Sequence, residues 1–201
     1  MTRASREGRG IGRFLRLLHV RLPGCISTMS RTLLVAFDSN VLTAFLNANS
    51  TAVPSVGDDL GAFRLFIYAP RLTILPTVTE EADRIPKDDK RQEHLKWIWY
   101  HFIEAQLRGE TKRVANRTQE LLAHHPEKDA DDCRIVAEAE AAGVDVIATI
   151  DKKIKRLQSH TRVRLLTPTA TLEHLGIVGA ANSEREPANG HPLAEATWWR
   201  M

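Results

Sequence analysis

Four acidic residues occupy comparable places in the chain's rhythm: Asp38, Glu81, Asp132 and Asp151. Asp38 follows the apolar run "LLVAF" at 33–37, and Asp151 follows "VIATI" at 146–150. Glu81 lies in "PTVTEEADR" and Asp132 in "DDCRIVAEAEAAG", each within the first turns of a predicted helix. Taken singly, such acids cap helices or complement the helix dipole. Brought together, like charges raise one another's pKa and cost stability unless a cation lies between them. An all-oxygen cluster suits a hard divalent ion, Mg²⁺ or Mn²⁺.

The elements that must position these acids follow from hydrophobic period and punctuation. "LLVAF" reads as a strand covered on both faces, and "VLTAFL" (41–46) starts a helix directly after Asp38-Ser39-Asn40. A loop is expected over 47–59, a helix over 59–68, a second strand over 72–75 and a helix over 77–85. An amphipathic helix is expected over 87–107 and another over 111–125. The stretch 129–143 is a helix with acids in its first turn and Gly143 at its end. Strands at 144–149 and 163–166, a short helix between them and a closing helix over 167–176 complete the pattern. Strands alternating with helices give an α/β fold with a parallel central sheet and helices on both faces. In such sheets ligands collect beyond the carboxyl ends of the strands, where Asp38 and Asp151 stand.

Composition is that of a globular chain, 43% hydrophobic and 26% charged, which excludes global disorder. Cys25 and Cys133 stand far apart with no CxxC or Cys/His spacing, so neither a disulfide framework nor a zinc finger is indicated. Residues 1–31 carry seven arginines against one acid, a net of +6 in a chain of net +3, so the remainder is −3. The basic pI therefore belongs to the first segment and does not mark the body as a nucleic-acid binder. Three segments follow: a basic arm at 1–30, a folded domain at 31–178 and a tail at 179–201. The arm's apolar residues are interrupted by arginine, so no membrane span is expected there, and "MSRTLLVAFD" reads as a natural domain start at Met29.

The ordered set "FDSNVL" (37–42), "PTVTEEADR" (76–84), "DCRIVAEA" (132–139) and "VIATID" (146–151) resembles the PIN-domain ribonucleases, a family that includes VapC-type toxins. The resemblance spans about residues 31–178 and includes the closing "LTPTATLEHLG". It implies a metal-dependent endoribonuclease of the cytoplasm in which Asp38, Glu81, Asp132 and Asp151 bind Mg²⁺ or Mn²⁺, with Asn40 and Thr149 as polar supports. Asn40 would hold the Asp38 carboxylate or a metal water. The family's spacing selects Glu81 over its neighbour Glu80, and Asp132 over Asp129 and Asp131; Ala82 departs from the usual leucine. Many bacterial members are toxins, so an antitoxin protein is an implied partner beside the RNA substrate.

Cationic help for RNA is expected from Lys152, Lys153, Lys155 and Arg156, with Arg84 and Arg134 near the other acids. His124-His125 lies in a surface-like turn and is assigned no catalytic role. In 87–107, Trp97, Trp99 and Tyr100 fall partly off the apolar stripe and suggest a homodimer or inhibitor surface. Two other readings compete: a non-catalytic PIN-like module that binds RNA or protein, and a phosphotransfer domain with Asp38 as nucleophile. The latter needs a lysine at a later strand end, and none can be placed. Because every motif lies beyond residue 28, a chain beginning at Met29 should fold cooperatively and keep its activity. Thermal unfolding of that shortened chain tests this.

Overall fold

A computed structural model describes residues 32–50, 58–69, 71–107, 109–126 and 129–177. The predicted arm and tail therefore lie outside the described residues. The described chain forms β1 (Val35–Phe37), α1 (Ser39–Ser50), α2 (Asp58–Tyr68), β2 (Leu72–Ile74) and α3 (Pro76–Asp83). It continues through α4 (Asp88–His101), β3 (Ile103–Glu104), α5 (Thr111–His124), α6 (Ala130–Ala142) and β4 (Val146–Ala148). After β4 come α7 (Lys152–Lys155), a 3₁₀ turn (Arg156–His160), β5 (Arg164–Leu166) and α8 (Pro168–His174).

The strands form one five-stranded sheet in the order β3-β2-β1-β4-β5, with every pair parallel. The fold is thus the α/β class expected, a single domain with helices on both faces. From β1 the chain adds β2 and then β3 on one side, and later β4 and β5 on the other. Right-handed crossovers place the β1–β2–β3 connections on one face and the β3–β4–β5 connections on the opposite face. Helix contacts agree: α2 packs on α1 and α8, and α4 on α1 and α3, whereas α6 packs on α5 and α7. The reversal of strand order falls between β1 and β4, where their carboxyl ends open a crevice.

Burial explains the strand choices. Val35, Ala36 and Phe37 are fully buried, as are Val146, Ile147 and Ala148, which is the demand of a sheet covered on both faces. On the α1 face, Phe45 anchors an aromatic cluster with Phe66 and Trp97, at ring separations of 4.7 and 5.1 Å. Phe102 joins it through Phe66 and Phe37 at 5.7 and 5.5 Å.

The structure revises the 87–107 expectation. The helix stops at His101, because Phe102 takes an extended conformation (φ −116°, ψ 152°), and the chain enters the two-residue strand β3. Its aromatic residues also divide: Trp97 packs into the cluster, while Trp99 and Tyr100 are 67% and 76% exposed. The exposed surface is therefore Trp99 and Tyr100 with Ile103, and Trp97 belongs to the core's edge.

Gly61 lets α2 approach α8 closely. A Cβ there would stand 2.9 Å from Thr169 Oγ1 and 3.0 Å from Thr169 N. The hydroxyl can rotate, but the backbone nitrogen cannot yield cheaply. Gly61→Ala gains helix propensity of about 1 kcal/mol but overpacks a tight contact at about 1–3 kcal/mol. The expected net is a loss of up to about 2 kcal/mol, read as a lower urea midpoint with an unchanged slope.

Candidate active site

The register of the central strands sets the site. Phe37 aligns with Ala148, so the next residues, Asp38 and Thr149, meet side by side at the carboxyl edge. The ladder runs one bond further, Asp38 N donating to Ala148 O at 3.1 Å. Asp38 is only 4% exposed. Its Oδ2 accepts from the Thr149 hydroxyl at 2.6 Å and its Oδ1 from Ser39 N at 2.7 Å. Burial still outweighs these bonds and holds its pKa above the ordinary aspartate value, with Asp132 and Asp151 adding repulsion.

Asp151 arrives through the same threonine. Its backbone N donates to Thr149 Oγ1 at 3.0 Å, so one hydroxyl joins the two strand ends. Asp151 Oδ1 caps α7 by accepting from Lys153 N at 2.6 Å. Its capping role is thus real, and its other oxygen remains for other work. The Asn40 carboxamide oxygen accepts from Ile150 N at 3.4 Å, which ties the start of α1 to the β4–α7 loop.

Asp132 enters from the first turn of α6, whose N-cap is Asp129, accepting from Asp131 N at 3.1 Å. Desolvation, then repulsion by Asp151, Asp129 and Glu81, pushes Asp132 up to about 6. Glu81 enters from α3. Its pKa is raised first by desolvation, with Asp38 and Asp131 contributing, and hydrogen bonding from Ser39 acts in the opposite sense. Glu81 Oε2 is buried and has no hydrogen-bond partner among the described residues. A cavity of about 250 Å³ beside it is lined by Ser39, Thr43, Glu81 and His94. His94 was not anticipated from the sequence; it is 7% exposed, with Nε2 3.2 Å from Thr43 Oγ1.

The four acids therefore come within electrostatic reach of one another at the switch-point edge. They do not form a closed shell: among the described residues no three acidic, histidine or cysteine side chains close around one point. The donor chemistry nevertheless fits a hard cation. An orphaned carboxylate oxygen and three carboxyls with raised pKa values are what a bound positive charge would relieve.

The arginines near the acids are already engaged. Arg84 Nη2 pairs with Asp131 Oδ2 at 2.7 Å, and Arg134 grips both oxygens of Glu80 at 2.7 Å. Glu80 and Asp131 are thus neutralised, while their neighbours Glu81 and Asp132 are left facing the other acids. Lys152 and Lys153 are exposed on α7, and Lys153 partly offsets the Asp132 shift. His124 and His125 lie against His160 at ring separations of 5.0 and 4.7 Å.

No family model and no curated protein matches the sequence. Among solved structures, the chain is similar to VapBC2 from Rickettsia felis, crystallised bound to a DNA fragment from its promoter. That match has 15% identity and a TM-score of 0.48, and covers 67% of this chain and 98% of the other. A second is to FitAcB from Neisseria gonorrhoeae, with 13% identity and a TM-score of 0.43, covering 67% and 97% of the two chains.

The Asp132 shift has a stability consequence. A carboxyl whose folded pKa is raised from 3.8 to about 6 favours the folded state at low pH, and this advantage is lost as pH rises from about 4 through 6. Asp132→Asn should therefore gain stability relative to the metal-free wild type across that window and level off above it. Chemical denaturation in EDTA at pH 4, 5, 6 and 7 measures the trend; a flat difference contradicts it.

Proposed function

We propose that the protein is a divalent-metal-dependent endoribonuclease whose centre is Asp38, Glu81, Asp132 and Asp151. The observation that carries this reading is the meeting of these acids at the switch-point edge, with Asp38 buried and Glu81 Oε2 unpartnered among the described residues. A bound Mg²⁺ or Mn²⁺ would supply Lewis-acid polarisation of a phosphodiester and a water acidic enough to attack it at neutral pH.

The chain's own residues do the rest. Thr149 fixes the Asp38 carboxylate and the Asp151 backbone in one hydrogen-bonded unit. Asn40 holds the β4–α7 loop, and so the start of α7, against α1. Above about pH 6 Asp132 is ionised in the metal-free protein. Lys152 and Lys153, exposed beside Asp151, draw the RNA backbone toward the acids. Arg84 contributes less than its sequence position implies, since its guanidinium is committed to Asp131. The PIN resemblance adds an antitoxin as protein partner, and the exposed Trp99 and Tyr100 offer surface for it or for a second copy.

The unclosed ligand set favours one competing reading, a non-catalytic RNA- or protein-binding module. Cleavage of pooled RNA with Mg²⁺, Mn²⁺ or EDTA separates the two. The nuclease should cut with either metal and stop in EDTA. Asp38→Asn should lower the rate at least 100-fold while leaving metal-free stability equal or slightly higher. Wild-type cleavage by Asp38→Asn, or no metal-dependent cleavage by the native protein, refutes the assignment.

A further inference from the structure

Glu138 is a buried carboxylate that the proposed chemistry does not use. It sits six residues beyond Asp132 on α6 and is 1% exposed, in a run, "AEAEAA", where alanine would avoid the desolvation cost. Its oxygens are filled from α3: Thr77 N donates to Oε2 at 3.0 Å and the Thr77 hydroxyl to Oε1 at 2.8 Å. Thr77 N is one of the amides that the start of α3 leaves without a helical acceptor, and Pro76 before it has none to offer. Arg134 then links both helices. Its Nε lies 3.1 Å from Glu138 Oε1, and its other nitrogens hold Glu80 in a two-pronged pair. Arg84 crosses in the reverse direction, from the end of α3 to Asp131 on α6.

Consecutive helical residues project about 100° apart. Fixing Glu80 and Asp131 therefore fixes the rotation of each helix, and with it the direction of Glu81 and Asp132. We propose that Thr77, Arg134 and Glu138 are positioning residues that lock α3 to α6 and set the separation of Glu81 and Asp132. The role rests on the metal-site reading above. It differs from mere charge balance in the sign of one effect. Removing a positive charge near an acidic centre favours cation binding by electrostatics alone, whereas loss of the lock disfavours it.

The test uses the full chain and Mn²⁺ alone, with binding followed by electron paramagnetic resonance. Hydrogen exchange over residues 76–84 is followed in parallel. Thr77→Val and Arg134→Met should weaken Mn²⁺ binding about 10–100-fold and speed exchange in α3, with the rest of the domain unchanged. Thr77→Ser, which keeps both donors, should behave as wild type. Arg134 is partly exposed, so its variant reports even if Thr77→Val fails to fold. Unchanged α3 exchange in Arg134→Met overturns the proposal, as does faster exchange with wild-type or tighter Mn²⁺ binding. Failure of the wild type itself to bind Mn²⁺ overturns the metal reading instead, and the exchange arm then decides the lock alone.

Discussion

The burial of carboxylates beside one another is the constraint around which the carboxyl edge of this sheet is organised. Asp38 is nearly as buried as the strand that delivers it, and Asp132 and Glu81 are each pushed upward by desolvation and by neighbouring acids. Each member makes ionisation of the others more costly. Strand pairing fixes the first part of the group, and α3 and α6 deliver the rest. Once Phe37 is in register with Ala148, Asp38 and Thr149 are adjacent, and the threonine hydroxyl becomes the hinge between two chain segments 111 residues apart.

The second layer of charge is arranged with discrimination. Arg84 and Arg134 both reach the acids beside the central ones: Arg84 pairs with Asp131, and Arg134 with Glu80. Partly exposed ion pairs of this kind contribute little to global stability. Their significance is geometric, and most so for Arg134, whose two-pronged contact with Glu80 fixes direction as well as distance.

Much of this was legible in the chain. The apolar runs before Asp38 and Asp151 could only be buried strands, and the acids at their ends had to emerge on one edge of a parallel sheet. Gly143 marked the end of α6 and takes the left-handed conformation there (φ 68°). The two-residue strand β3 was not legible, because its Ile103 and Glu104 are both exposed and leave no burial pattern to read. Glu138 was hidden for the opposite reason: an acid among alanines reads as a solvated helix face, and only packing of α3 against α6 buries it. The bond from Ile150 N to the Asn40 amide oxygen was not legible either, because it depends on a backbone 110 residues away.

The sheet's two borders bear on how the molecule avoids sticking to itself. An open parallel sheet exposes a row of unpaired amides and carbonyls along each outer strand, which invites strand addition by other chains. Here one border is cut to two residues and carries Glu104, whose carboxylate lies 3.3 Å from the Thr79 hydroxyl. The other begins with the exposed Arg164. Brevity on one side and charge on both leave too short a template for a foreign strand to zip onto. Fibrous, edge-to-edge growth is thereby discouraged.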